Sequence, residues 1–107
     1  MLWYDRLYVG EKAKKHRYSI IQTIRRRKGR LGVFVIMPAL NGNNILDIYP
    51  TITLFHLRFD QRERMILGIA EGYQEALSLA GEIVRDMYQK TGAFCLEEFL
   101  EQSGSKV

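Results

Sequence analysis

Cysteine is almost missing from this chain of 107 residues. Cys95 is alone, which excludes an intrachain disulfide and any zinc site built from several cysteines. Proline occurs only at positions 38 and 50, and the stretch from Glu11 to Lys28 holds neither proline nor glycine. No apolar run approaches the roughly 18 to 20 residues of a membrane-spanning helix. The opening Met1–Arg6 lacks the basic-then-apolar layout of a signal peptide, so a cytoplasmic protein without a membrane partner is expected. Neither the phosphate-loop nor the dinucleotide-binding fingerprint is present, and no nucleophile triad or spaced carboxylate pair emerges. Acidic side chains are scarce at the start: residues 1 to 30 carry ten basic residues against Asp5 and Glu11, a charge of +8. Residues 31 to 107 reverse the sign, with six basic and ten acidic residues, a charge of −4. This split fits three situations: an acidic partner for the first segment, attraction between the two parts within the fold, or complementarity between chains.

What is present is a globular composition. Apolar residues make up 47% of the chain, too many for a disordered polymer, and its length allows one domain over residues 1–107. Good helix formers dominate Glu11 to Lys28, and Ala13, Ile20, Ile21 and Ile24 fall on one side at 100° per residue. The opposite side holds Lys15, Tyr18, Gln22 and Arg26, flanked by Lys12, Ser19 and Arg25. Gly29 is expected as the left-handed cap. Val33–Met37, Ile45–Tyr49 and Met65–Ala70 read as strands, the first two joined at Asn41–Asn44 as a hairpin. Residues 51 to 60 fit an irregular link or a short edge strand.

Tyr73 to Lys90 is the clearest helix, with Tyr73, Ala76, Leu77, Ala80, Ile83, Val84 and Met87 on the apolar face. Gly81 inside it suggests close packing against another backbone. Leu96, Phe99 and Leu100 mark a last short helix, and residues 102–107 form a frayed tail. The fold class is therefore α+β: helix, three-stranded mostly antiparallel sheet, helix and short C-terminal helix. Both long helices are placed on one sheet face. The aromatic segment 1–9 is expected to cover the other, which otherwise becomes a dimer contact.

The charged ridge is the main functional signal. Lys12, Lys15, Arg25 and Arg26, with Lys14, Arg17, Arg27, Lys28 and Arg30 nearby, could follow a phosphate backbone, and Tyr18 among them could stack on a base or sugar. A solvated helix face and a docking surface for an acidic protein are the competing readings. A solvated face would mix charge signs at i, i+4, which this one hardly does. The turn Gly68–Gly72 reads as tight packing rather than phosphate binding, because Glu71 repels an anion there. His56 and Asp60 are four apart, too few for a metal site, and Cys95 reads as a buried or semi-buried thiol. No cofactor and no metal are expected.

Two stretches, Leu7–Ala13 and Gly68–Ala76, resemble a group of short uncharacterised proteins from Gram-positive bacteria, a likeness spanning roughly residues 7 to 92. It implies a stand-alone bacterial cytoplasmic protein and carries no activity. The helix-strand-strand-strand-helix order is similar to that of double-stranded RNA-binding domains, whose basic second-helix N-terminus meets phosphates. Here Glu71–Glu75 makes that position acidic, and the cations lie on the first helix instead.

The expectation is a binding protein rather than an enzyme. It associates with nucleic acid or another polyanion through Lys12, Lys15, Tyr18, Arg25, Arg26, Lys28 and Arg30. A protein-interaction module or homodimer is the alternative. An enzyme comes third, and would need a deep pocket lined by His56 or Cys95.

Overall fold

The computed structural model describes residues 1–40, 44–55 and 64–102. Among them the order is β1 (Leu2–Val9), α1 (Glu11–Lys14), α2 (Arg17–Arg25), β2 (Val33–Pro38), β3 (Leu46–Pro50), α3 (Thr51–Leu54), β4 (Met65–Glu71), α4 (Tyr73–Thr91) and α5 (Leu96–Gln102). The sheet runs β1-β4-β2-β3, with β1 parallel to β4 and the other pairs antiparallel. The α+β class stands, but the sheet is mixed and has four strands.

The extra strand is the N-terminal aromatic segment, expected as a cover and found as an edge. Its alternation is hidden by a register slip. From Trp3 to Tyr8, β1 advances five positions while β4 advances only two, from Ile66 to Gly68. The polar pair Asp5 and Arg6 falls in that slip and stays exposed. Backbone amides of Leu2 and Gly10 donate to Arg64 O (2.8 Å) and Ile69 O (3.0 Å) and pin both ends.

β2 explains why the sheet needs covering on both sides. Val33, Val35 and Met37 join one core with Ala13, Ile20, Ile24, Leu54, Ile66 and Ile69. Ile36 joins the other with Leu67, Ala76, Leu79, Ile83, Met87 and Phe99. Alternate residues of a strand point to opposite faces, so α1, α2 and α3 cover one face and α4 with α5 the other. The expected arrangement with both long helices on one face is thereby corrected: every residue of β2 facing either way is apolar, and a single helical layer would leave one side wet. The fourth strand and the two-sided cover also separate this fold from the RNA-binding topology considered above.

Three local expectations change. The first helix is two helices, interrupted at Lys15 and His16, where His16 leaves helical geometry (φ −126°, ψ 22°). α2 ends at Arg25 rather than Lys28, and the left-handed residue is Arg27 (φ 59°), not Gly29. The Arg27 amide donates to Ile24 O (2.9 Å) and the Lys28 amide to Thr23 O (3.1 Å). That hydrogen-bond pair is a Schellman ending with arginine where glycine is usual. Gly29 is needed for another reason: a Cβ there would lie 2.5 Å from Ile52 Cα and 2.9 Å from Thr51 O. The chain passes flush against α3, and the buried Thr51 hydroxyl accepts from the Arg30 amide at 2.9 Å.

Residues 51–54, expected as link or edge strand, form the single turn of α3; residues 56–60 of that stretch lie outside the described residues, as do Asn41–Asn43 of the hairpin turn and residues 103–107 of the tail. On α4 the buried stripe is Ala76, Leu79, Ile83 and Met87, while Tyr73 and Leu77 stay 53% and 43% exposed. The apolar arc of that helix is wider than the core it meets. Gly81 faces open space, with nothing within 4 Å of a built Cβ, so no backbone packs on it.

Candidate functional site

The opposite charges of the two sequence segments become opposite layers of the molecule. From Glu11 to Arg30 there are nine cations and one anion. Helices α4 and α5, across the sheet, carry Glu75, Glu82, Asp86, Glu97, Glu98 and Glu101 against Arg85 and Lys90. The sheet lies between, so the layers neutralise each other through few contacts. Lys14 pairs with Glu11 within α1 at 3.1 Å, and His16 Nδ1 meets Glu71 Oε2 at 3.0 Å. The hydrogen bond with His16, helped by its charge and those of Arg30 and Lys12, holds the Glu71 carboxyl below the usual carboxylate range against a smaller desolvation effect.

Of the seven expected contact residues, Lys12, Lys15, Tyr18, Arg25, Arg26 and Lys28 are exposed. Tyr18 is 77% exposed, which suits a stacking surface. Among the described residues, none of the five cations in that group makes an ion pair with a carboxylate. Arg30 differs: it is half-buried, and its guanidinium Nη1 donates to Ser19 Oγ at 2.8 Å, so it braces α2 against the following turn. The break at His16 means the ridge is not one straight row. Lys12 and Lys15 belong to α1, and Arg25, Arg26 and Lys28 to the end of α2 and the turn after it.

Two of the cavities among the described residues flank this layer. The larger, about 450 Å³, opens beyond the carboxyl ends of parallel β1 and β4, where the chain leaves to opposite faces through α1 and α4. Open α/β sheets often bind ligands at such a place. Here the chain fills it with its own anion. Glu75 accepts from the backbone amides of Lys12 and Glu71, the latter at 2.6 Å, and its carboxylate packs on Gly10, where a Cβ would collide with it. Glu11 and Glu82 also line the opening, with Lys12 and Lys14 beside them, so three carboxylates face two ammonium groups there. The expected tight turn at Gly68–Gly72 is corrected: Gly68 to Glu71 belong to β4, and Gly72 (φ 92°) alone links the strand to α4, while Gly68 is closely packed, a Cβ there lying 3.1 Å from Leu79 Cδ2.

The smaller cavity, about 250 Å³, lies between the start of β1, the end of α2 and the end of α3. It is lined by Met1, Trp3, Ile24, Arg25, Arg27 and Phe55. The Arg27 guanidinium sits 5.2 Å from the Phe55 ring centroid, a cation–π contact. Trp3 and Phe55 were not candidates from sequence. They are 52 positions apart, and only the insertion of β1 beside β4 brings them to the same cleft.

Other candidates carry little. Cys95 is exposed, not buried, because it precedes α5 in the turn after α4. His56 and Asp60 lie outside the described residues, and among the described residues no group of three metal-ligating side chains converges. Among the described residues, no helix is long and apolar enough to cross a membrane. No family model, curated protein or solved structure matches this chain.

Proposed function

We propose that this chain is a non-catalytic polyanion-binding protein whose ligand is nucleic acid. It uses the exposed cations of α1, α2 and the turn to Arg30. One observation carries the reading: Lys12, Lys15, Arg25, Arg26 and Lys28 are exposed and unpaired with carboxylates among the described residues, while the chain's own acidic side chains concentrate on the far layer. Like charges without an ion-pair partner repel one another in the free protein, and a polyanion relieves that repulsion while releasing its own counterions. A mobility-shift titration with mixed DNA and RNA at two salt concentrations tests it. Binding that weakens steeply with salt supports the reading; no shift at about 50 mM salt and micromolar protein overturns it.

A second reading, a homodimer, draws on α4. Tyr73, Leu77, Val84 and Tyr88 form an apolar stripe beside its buried face, with Tyr73, Leu77 and Tyr88 exposed. The stripe is symmetric about Ala80 and Gly81, so an antiparallel second copy would set Tyr73 against Tyr88 and Leu77 against Val84, with the bare Gly81 allowing close approach. Light scattering decides it. A dimer held this way persists at high salt and dissociates in Leu77→Glu, whereas a monomer at both salt levels removes the reading.

A further inference from the structure

We infer that the cleft between β1, α2 and α3 is a base-stacking subsite that selects single-stranded nucleic acid over duplex. The inference rests on the polyanion reading above and assigns that surface a ligand form.

The lining supplies two kinds of group that an unpaired nucleotide needs together. Trp3 and Phe55, half-buried and held on different elements, offer aromatic surface. Arg25 and Arg27 bring guanidinium charge to the same cleft, and guanidinium groups recognise phosphate and also stack on planar rings. At about 250 Å³ the cleft is below the roughly 300–1,000 Å³ of pockets that enclose a whole small molecule. It therefore takes one planar group while the rest of the ligand lies outside. Arg25 links the two regions: it belongs to the cleft and to the run Arg25, Arg26, Lys28. A strand with a base in the cleft would keep its neighbouring phosphates on that run.

Arg27 adds an independent observation. A left-handed arginine is uncommon, and glycine is the usual residue at that place in this helix ending. The Arg27 guanidinium lies 5.2 Å from the Phe55 ring centroid and puts charge on one wall of the cleft. The larger cavity offers no such combination: among the described residues no aromatic side chain lines it, and its charged lining mixes Glu11, Glu75 and Glu82 with Lys12 and Lys14. A duplex hides the faces of its bases in the stack, so a cleft that reads a base face requires an unpaired one.

Trp3 is the chain's single tryptophan, so its emission reports the cleft directly. The full chain is titrated at low salt with a thymidine oligomer, an abasic deoxyribose-phosphate oligomer of equal length, and a duplex. The thymidine oligomer is expected to bind about tenfold more tightly than the abasic one and to quench Trp3, because stacking is added to the shared phosphate contacts. The duplex is expected to bind without quenching. Phe55→Leu should bring the thymidine affinity down to the abasic value. Arg27→Gly should weaken discrimination several-fold, and it guards against a folding artefact because glycine suits the φ of 59°. Equal binding of thymidine and abasic oligomers with unchanged Trp3 emission overturns the cleft and leaves the ridge reading standing. Binding of neither oligomer overturns both.

Discussion

The helical layers on the two sides of the sheet are built by different means. α4 is one uninterrupted helix of 19 residues, and its N-terminal turn is tied back by Glu75 to the Glu71 amide. Its order follows from its own periodicity and from the left-handed Gly92 that ends it. The α1–α2 layer is two short helices of 4 and 9 residues, broken at His16 and ended by a left-handed arginine. It is held by contacts from elsewhere: His16 to Glu71, Gly29 against α3, Thr51 to the Arg30 amide. The two layers thus divide the work. The acidic layer closes the larger core, while the basic layer spends conformational regularity to place cations and an aromatic cleft.

Charge reversal on each layer in turn separates the binding layer from the other. Reversing Arg25 and Arg26 together to glutamate should weaken nucleic-acid binding by about tenfold or more. It should also lower the slope of log affinity against log salt by about one per cation removed. Glu97→Lys with Glu98→Lys, on the other layer, should leave the slope unchanged. Thermal melting should stay nearly level in the first double variant, since both arginines are exposed. If both double variants behave alike in a titration monitored by anisotropy, the two-layer contrast fails.

Glycines give the next comparison. Gly29→Ala drives a Cβ into the α3 backbone and should destabilise by about 1–3 kcal/mol in denaturant unfolding. Gly81→Ala on α4 meets open space and should stabilise by up to about 1 kcal/mol through helix propensity. A loss at Gly81 would point instead to a partner that needs the small residue there, as the α4 homodimer does.

Tyr8 joins β1 to the acidic layer through its hydroxyl, which donates to Asp86 Oδ2 at 2.6 Å. Burial first, then the bond to Asp86, pushes the phenol above its ordinary range. The folded protein thus keeps Tyr8 protonated after the unfolded chain would release the proton. Its stabilising effect is full below the unfolded phenol value of about 10 and falls as pH rises beyond it. Tyr8→Phe should cost about 1 kcal/mol near neutrality and abolish that alkaline slope. Unfolding midpoints across alkaline pH for both proteins provide the measurement.

Much of the acidic layer was legible in the chain. The i, i+3, i+4 pattern located α4 because one helix face meets one core, although Leu79, not Leu77, proved buried. The strands β2, β3 and β4 were legible as short apolar runs closed by proline or glycine. β1 was not, because the slip around Asp5 and Arg6 destroys the two-residue period on which strand recognition depends. Lys12, Lys15 and Arg25 could be read as exposed from helical phase; Arg26, Lys28 and Arg30 lie beyond the last residue of α2, and Arg30 is half-buried. The cleft could not be read, since Trp3, Arg27 and Phe55 meet only through a parallel pairing between chain segments about sixty residues apart.

A weaker dependence lies where the layers touch. Glu71 ends β4 and faces His16 at the break between α1 and α2. Its carboxyl is held low chiefly by the hydrogen bond with His16, so the pair stabilises the fold above the ordinary carboxylate range of about 4.3. That contribution fades as pH falls through the lowered value. Both side chains are partly exposed, so salt screens the charge component. His16→Ala should therefore raise the Glu71 titration midpoint toward the ordinary value in a carboxyl-resolved NMR titration. It should also flatten the acid limb of the stability curve, most visibly at low salt. If the midpoint does not move, the α1–α2 break owes nothing to this contact, and the basic layer's geometry must be set by Gly29 and Thr51 alone.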